Sequence, residues 1–313
     1  MLVAIVGGNL QGVEATYLAR KAGWEVILID KNSNAPAAGL CDYFVKGDVT
    51  AAGSHFDSLQ QADIIIPALE NLPALKSLQR KSMETGIPLA FDSHAYTMTS
   101  SKLLSNQLFS RLAIATPAAY PQCKFPVIAK PDASSGSRGI KIFEDISGLN
   151  NFILQTNNIN PWVIQEFVAG PSYSLEVIGS PGNYHVLTVT DHFMDAQFDC
   201  KRVTVPTGLS KAFVKQFEEI SLLIAESLGL TGIMDVEVIE HEGRLKVLEI
   251  DARLPSQTPA AVFWSTGTNM VALLGKLCLK GKIRTKPDEK RPRDVIYEHI
   301  GVSKEKIEVA GEH

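Results

Sequence analysis

The feature that most narrows the fold is a pair of alternating stretches, Ile233-Met-Asp-Val-Glu-Val-Ile239 and Leu245-Lys-Val-Leu-Glu-Ile-Asp251, joined by the polar turn His241-Glu-Gly-Arg244. Acidic and apolar residues alternate with a period of two, the spacing of side chains along a β-strand, so the two stretches predict a hairpin. Asp235 and Glu237 then share one face, as do Glu249 and Asp251, while Val236, Val238, Leu248 and Ile250 form the opposite, apolar faces. Matching apolar to apolar about Gly243 sets Glu237 opposite Glu249 and Asp235 opposite Asp251. Like charges facing each other across strands cost a few tenths of a kcal/mol to about 1 kcal/mol per pair. Such a patch needs either water over it, as on the outer face of an antiparallel hairpin, or a bound cation, for which Mg²⁺ with oxygen ligands is the natural occupant.

The amino-terminal third reads differently. Leu2-Val-Ala-Ile-Val6, a Gly-Gly turn, an alanine-rich helical stretch to Lys21 and Val26-Ile-Leu-Ile29 ending at Asp30 make a βαβ unit. Strand-like runs at Tyr43-Phe-Val45, Ile64-Ile-Ile66 and Leu89-Ala-Phe91, alternating with helical segments such as Leu72 to Thr85, extend it into one doubly wound α/β domain with a parallel sheet over residues 1–91. Beyond it a helix is expected over 99–113, and Pro117, Pro121 and Pro126 punctuate the way into Val127-Ile-Ala129. Strands, hairpins and amphipathic helices then mix in α+β fashion. The last 30 residues, rich in Lys, Arg, Asp and Glu, read mainly as a solvated end.

Single cores stop growing near roughly 250 residues, so a chain of 313 is expected to hold two or three packed units. Hydrophobic residues at 45% and charged residues at 20% exclude a disordered or fibrous chain. The net charge of −4 argues against a nucleic-acid partner. No stretch approaches the roughly 18 apolar residues of a membrane span. Cys41, Cys123, Cys200 and Cys278 lie far apart with no C-x-x-C pair, which suits reduced thiols in a soluble, unprocessed cytoplasmic protein. A homodimer is left open.

Several segments have the chemistry of a nucleotide site. Ser134-Ser-Gly-Ser-Arg-Gly139 joins the strand Phe125–Lys130 to Ile140-Lys-Ile-Phe143, so it is a small-residue loop between strands and not a Walker A loop opening a helix. Backbone N–H groups of Ser134, Ser135, Gly136 and Ser137 can cap phosphates there, although many such loops are merely turns. Lys130 on its apolar strand and Lys102 near a helix start offer ammonium groups for phosphate oxygens, or else are ordinary surface lysines. Trp162-Val-Ile-Gln-Glu-Phe-Val168 has the shape of a hinge strand whose backbone at Gln165, Glu166, Phe167 and Val168 meets an adenine edge, with Glu166 free for ribose hydroxyls; the bland alternative is a core strand. In Gly7-Gly-Asn-Leu-Gln-Gly12, Asn9 stands where the dinucleotide fingerprint needs glycine, which counts against a nicotinamide oxidoreductase. The helix starting there suits a substrate carboxylate, with Gln11 and Glu70 taking its amino group. Asn9, Asp30, Asp48 and Val49 outline either a second nucleotide site or a purely structural set.

Together, Lys102, Lys130, the Ser/Gly loop, the Glu166 hinge, Ser172-Tyr-Ser-Leu-Glu176 and the acidic hairpin resemble the ATP-grasp ligases across nearly the whole chain. Within them, Gly7-Gly-Asn-Leu-Gln-Gly12, Gly232-Ile-Met-Asp-Val-Glu237, Glu249-Ile-Asp-Ala-Arg253 and Pro255-Ser-Gln-Thr-Pro259 are similar to the pyrrolysine-pathway ligases that join 3-methyl-D-ornithine to lysine. The resemblance implies an amino-terminal domain over 1–91 on the lysine side, a small ATP-grasp lobe over 92–168 carrying the flap, and a large lobe over 169–313 carrying metal and substrate. It implies ATP and two Mg²⁺ ions, one on Glu237 and Glu249 and the second on Glu249 and Asp251. It implies phosphorylation of the 3-methyl-D-ornithine carboxylate and attack by the ε-amine of L-lysine. Arg253 would stabilise the acyl phosphate and oxyanion, with Glu176 beside it as the other catalytic group. Ser174, Glu176, Asp235, Arg253 and Ser256 would hold the ornithine-like substrate, and Leu10, Gln11, Gly12 and Glu70 the lysine. His192 and Asp199 are expected on a surface loop more than at the mouth of the site. Members of that family carry a further stretch beyond the equivalent of Tyr297-Glu-His299, a departure that a shorter or a truncated chain would share. D-alanine-type ligation, biotin-type carboxylation and a non-catalytic amino-acid sensor are the competing readings, the last weakened because Lys102, Lys130, Glu237, Glu249 and Asp251 all stand.

Overall fold

A computed structural model describes residues 1–311 apart from 52, 54, 135, 157–160, 282 and 284–291. It begins β1 (Leu2–Val6), α1 (Leu10–Lys21), β2 (Glu25–Asp30), β3 (Tyr43–Lys46), α2 (His55–Leu59), β4 (Ile64–Pro67) and α3 (Leu72–Thr85). The strands form a parallel sheet in the order β3-β2-β1-β4. Val3–Val6, Val26–Ile29 and Ile64–Ile66 are uninterrupted apolar runs because both faces of such a sheet are covered, and all are buried. The chain leaves β1 toward β2 on one side and reaches β4 on the other. The switch point thus opens a crevice at the carboxyl ends of β1 and β4, next to Gly7 and Glu70.

Two expectations fail here. Leu89–Phe91 is no strand: a single bridge pairs Leu89 with Ile65 before the chain turns into α4 (Ser93–Thr99). The expected helix over 99–113 is broken, since Ser101 starts a new helix, α5 (Lys102–Arg111), by accepting the Leu104 N–H on its side chain. Asp92 caps α4 in the same way. Two N-cap residues nine apart were the signal for two helices.

A three-stranded antiparallel sheet follows, ordered β6-β5-β7, from β5 (Val127–Pro131), β6 (Lys141–Phe143) and β7 (Trp162–Glu166), with α6 (Ile146–Gln155) between the last two. The largest sheet contains β8 (Ser172–Ser180), β9 (Asn183–Val186), β10 (Thr190–Met194), β11 (Cys200–Val205), β12 (Gly232–His241), β13 (Arg244–Asp251) and β14 (Val295–Glu298). Its order is β13-β12-β8-β10-β11-β14, with β9 paired to β8. α7 (Lys211–Leu228) precedes β12, and α8 (Thr258–Thr266) and α9 (Met270–Lys280) follow β13. One face of this sheet packs Leu175, Val177, Val236 and Ile250 against Phe217 and Ile224 of α7. On the other, Ile178, Val203, Val205 and Ile233 join Val262 of α8 and Leu274 of α9 in one cluster with Ile5 and Leu18. The amino-terminal sheet and the large sheet therefore share a continuous apolar contact.

The carboxy-terminal 30 residues are not simply a solvated end. Val295 and Tyr297 of β14 pack on the shared cluster, and Glu298 pairs with Arg202 at 2.5 Å. The hairpin of β15 (Ile300–Val302) and β16 (Ile307–Val309) stands exposed.

The acidic hairpin has the expected partners by an unexpected route. Glu242 and Gly243 both have positive φ, 49° and 70°, the mark of a two-residue type I′ turn, so His241 pairs with Arg244 and Val238 with Val247. That register alone would set each acid opposite an apolar residue. A β-bulge at Leu248 restores Glu237 opposite Glu249 and Asp235 opposite Asp251. Leu248 consequently leaves the apolar face assigned to it and lines the pocket beside Glu249. Leu245 and Val247 take its place in the core.

Gly12 belongs to packing. A Cβ there would overlap the Gly7 carbonyl, because α1 starts directly over the turn that ends β1. Gly12→Ala should therefore cost about 1–3 kcal/mol, read as a Tm several degrees lower in thermal denaturation; an unchanged Tm would contradict the close approach.

Candidate active site

The large sheet arranges its acids as a lattice. Because paired residues on antiparallel strands share a face, Asp251, Asp235 and Glu176 form one row across β13, β12 and β8. Glu249, Glu237, Ser174 and Thr190 form the next row, and Ser172 with His192 the one after. Withdrawal from water raises the Glu237 carboxyl to about 7, with Glu249 opposite adding to it. Burial does the same for Glu176, to about 7, and for Asp251, to about 6. Asp235, between two acidic neighbours and buried, is raised well above the ordinary aspartate value. Glu176 is completely inaccessible, with Thr258 facing it. Asp235 Oδ1, Asp251 Oδ1 and Ser174 Oγ are buried without a hydrogen-bond partner.

Three cations answer these acids. Lys102 Nζ lies 2.9 Å from Glu249 Oε1 and donates to the Ser134 carbonyl at 2.5 Å. Lys130 sits near Glu249 and Glu237, and burial lowers its ammonium below the ordinary lysine value. Arg253 pairs with Asp251 at 2.9 Å and reaches across to Glu70 of the amino-terminal crevice. Burial would weaken its charge, but Asp251, Glu70 and Asp235 outweigh that and hold it firmly protonated. The Thr99 hydroxyl fixes the backbone between these two side chains by accepting the Ala252 N–H at 3.0 Å.

Two cavities meet at this lattice. The first, about 320 Å³, is an apolar slot of Ile128, Phe167, Val168, Ile239 and Leu248 that ends at Lys102, Lys130, Glu237 and Glu249. The hinge residues Gln165, Glu166, Phe167 and Val168 all line it. Glu166 is not free for a ribose, however: one oxygen takes Lys246 and the other accepts the Ala118 N–H at 2.9 Å. Lys246 faces it because of the bulge, which a strict alternation could not foresee. Over the slot lies the small-residue loop, in which Gly136 and Ser137 both have positive φ, an N–H-lined nest. Ser137 Oγ donates to the Phe198 carbonyl at 2.6 Å, closing the loop onto the β10–β11 turn. Ser134 lines the slot, and Ser135 lies outside the described residues.

The second cavity, about 990 Å³, runs from Glu237, Glu249, Arg253 and Ser256 to the amino-terminal crevice. Asn9, Gln11, Asp30, Asp48, Val49 and Glu70 line it, whereas Leu10 and Gly12 do not. The Gln11 side-chain amide is already engaged, donating to the Leu254 carbonyl. Asp30 accepts the Gly8 N–H at 2.7 Å and the Asn32 N–H at 2.7 Å, and Asp48 holds Thr50, so both acids brace turns. His192 stands on β10, and Asp199, at the end of the β10–β11 turn, is buried and not at the surface. Both line this cavity, Asp199 buried and His192 pushed to about 4 by burial. Their place follows from β10 and β11 joining the sheet, a pairing partner that no local pattern announces.

The donor set fits magnesium. Among the described residues no three of His, Cys, Asp and Glu already stand close enough to cage an ion. Mg²⁺ does not need that, since it binds one or two carboxylates together with phosphate oxygens and water. Glu237, Glu249 and Asp251 supply hard oxygens, and the orphaned Asp251 Oδ1 is one that lacks a protein donor.

A family model described as an ATP-grasp domain matches residues 99–257. Over 303 residues the chain is 37% identical to the 3-methyl-D-ornithine–L-lysine ligase of Methanosarcina acetivorans, covering 95% of this chain and 79% of that one. The ADP complex of an N5-carboxyaminoimidazole ribonucleotide synthetase superposes with TM-score 0.79 at 15% identity, covering 94% and 80%. The biotin carboxylase domain of Hydrogenobacter thermophilus 2-oxoglutarate carboxylase, solved as a dimer with MgADP and bicarbonate, gives TM-score 0.78 at 15% identity, covering 95% and 74%. Both superpositions place the fold.

The raised carboxyls carry a pH signature. Glu237 keeps its proton to about pH 7 in the folded protein against an ordinary 4.5, so the native state binds more protons across that window and loses stability as pH rises through it. Without nucleotide or divalent cation, Glu237→Gln should become progressively more stable relative to wild type between pH 5 and 7.5, measured as Tm; a pH-independent difference would refute the crowding.

Proposed function

The chain belongs to the ATP-grasp ligases, and on that basis we propose that it joins the carboxylate of (3R)-3-methyl-D-ornithine to the ε-amine of L-lysine through an acyl phosphate. The product is 3-methylornithinyl-N6-lysine. The choice of substrates rests on the 37% identity over nearly the whole chain to a ligase of that name. What makes it chemically sensible is the buried row of Asp235 and Glu176 beside Arg253: a diamino acid needs deep carboxylates for its ammonium groups and a cation for its carboxylate. In this reading residues 1–91 form the lysine side of the site, 92–168 the lobe with the flap, and 169–313 the lobe with metal and substrate.

Adenine occupies the apolar slot along Gln165–Val168, and the phosphates run under Ser134 and Ser137 toward Lys102 and Lys130, with Gly136 on the side of the larger cavity. Lys102 already bridges the flap carbonyl and Glu249, so it sits where phosphate charge arrives. Magnesium held by Glu237, Glu249 and Asp251 would screen the phosphate oxygens during transfer. Arg253 orients the ornithine-like carboxylate, one oxygen of which attacks the γ-phosphorus as ADP leaves. The lysine amine, entering from the crevice by Gln11 and Glu70, then attacks the acyl carbon. Phosphate departs, the nitrogen loses its proton to solvent, and Arg253 offsets the oxyanion in between. Ser174 and Ser256 are assigned to the same substrate, Ser174 with a buried hydroxyl without a hydrogen-bond partner.

ADP release and product mass should be measured with L-lysine plus 3-methyl-D-ornithine or D-ornithine, against D-alanine and bicarbonate. Product from the first pairs alone is expected, and turnover with D-alanine or bicarbonate instead would replace the substrate assignment. Arg253→Met should lower kcat about 100- to 1,000-fold, the usual cost of an oxyanion-stabilising group. Glu249→Ala should abolish turnover while leaving the Tm close to wild type, and near-normal rates in it would overturn the metal assignment.

A further inference from the structure

Glu14 is a buried acid in α1 that the reaction as drawn does not use. It is 3% exposed and lies on the same helical face as Gln11, three residues earlier. Its carboxylate accepts the N–H of Gln257 and, at 3.3 Å, that of Ala260. Those are the N-cap and third residues of α8, whose own N-cap side chain makes no capping hydrogen bond. In an ordinary capping box the helix serves these two donors with its own residues. Here one carboxylate from a different part of the chain serves both, at the positive end of the helix dipole.

The segment held in this way is the one that carries the reacting groups. Gln257 has φ 71° and ψ −50°, the centre of a γ-turn closed by the Thr258 N–H on the Ser256 carbonyl at 2.9 Å, a positive-φ conformation that a residue with a side chain adopts only when its surroundings enforce it. Immediately before it come Arg253, Leu254, Pro255 and Ser256. The Leu254 carbonyl accepts from Arg253 Nη1 at 3.2 Å and also from Gln11 Nε2, so the guanidinium is tethered to the same loop that α1 grips at two points. Gln257 Nε2 ties the loop on its far side to the Cys200 carbonyl at 3.2 Å.

We infer that Glu14 is a positioning residue: by capping α8 from the amino-terminal helix it sets the loop over 253–257, and with it the place of the Arg253 guanidinium over the reacting carboxylate. This rests on the assignment of Arg253 to the acyl-phosphate site. Catalysis here asks for alignment within a fraction of an ångström, and a misplacement of about 1 Å costs on the order of 100-fold. A residue that only stabilised the fold would instead lower Tm and leave turnover by the remaining folded protein intact.

The test is a double-mutant cycle on steady-state ADP release, with Tm and the KM for ATP followed alongside. Glu14→Gln keeps the size but loses the charge and can satisfy only one of the two N–H groups. It should lower kcat about 10- to 100-fold, with the KM for ATP within about twofold because the slot is untouched. In an Arg253→Lys background the same change should cost less than about threefold, since the group it positions is already gone. Equal losses in both backgrounds, or a lower Tm with wild-type kcat, overturn the inference. Glu14→Asp, which keeps the charge but withdraws it by one methylene, takes the place of the Gln variant if that fails to fold; failure of both makes Glu14 structural and overturns the inference. Wild-type protein that releases ADP without 3-methylornithinyl-lysine defeats the substrate assignment alone, because the cycle is read on ADP.

Discussion

Everything at this site depends on an electrostatic debt: five carboxyl groups on one face of a sheet, each facing another across strands, most of them out of water. A sheet that merely needed to fold would not collect them, because each facing pair subtracts stability. Lys102, Lys130 and Arg253 offset the charge incompletely, and several carboxyl oxygens stay without donors. The residual demand for positive charge is the physical ground on which a metal-bound polyphosphate and a substrate rich in ammonium groups are proposed for this face. The same three cations come from three different parts of the chain, α5, β5 and the loop after β13, so the acids draw those parts together around one volume.

The amino-terminal sheet is tied to this volume twice. One tie is apolar: Ile5 and Leu18 share a cluster with Ile178 and Ile233 of the large sheet. The other is polar and points at the chemistry, since Glu70 meets Arg253, Gln11 meets Leu254 and Glu14 meets α8. Apolar contact is tolerant of small shifts, whereas buried carboxylate-to-N–H bonds are directional. The pairing of the two kinds gives a joint that is both strong and aligned.

Much of this was legible in the sequence. The period-two alternation around Asp235 and Glu249 identified the strands and the face the acids share, but the facing partners also depend on the bulge at Leu248, which spacing alone does not reveal. The parallel sheet was legible from its uninterrupted apolar runs, and α3 from Leu72 to Thr85 from its periodicity. What escaped notice depended on partners distant in sequence. Glu166 looked free because Lys246 is 80 residues away. His192 and Asp199 looked like surface residues because β10, which carries His192, and β11, which follows Asp199, gain meaning only beside β8 and β14. Nothing around Glu14 in the sequence distinguishes it from an ordinary helix-surface acid. Its nearest clue was an N-cap position at Gln257 with no serine, threonine, aspartate or asparagine to fill it.

The bulge at Leu248 has a consequence for how this hairpin tolerates change. Without it, the tight turn at Glu242-Gly243 and the facing acids would be incompatible by one residue, since a two-residue turn and a directly opposed acid pair demand pairings of opposite parity. By absorbing that residue midway, the bulge makes the tip and the acidic half of the hairpin separate modules. Turns that keep the parity of the present one can be exchanged at the tip, or peptides grafted there, without moving a carboxylate. A single residue inserted or removed between Glu237 and Glu249 would instead turn one acid through the sheet into the core against α7.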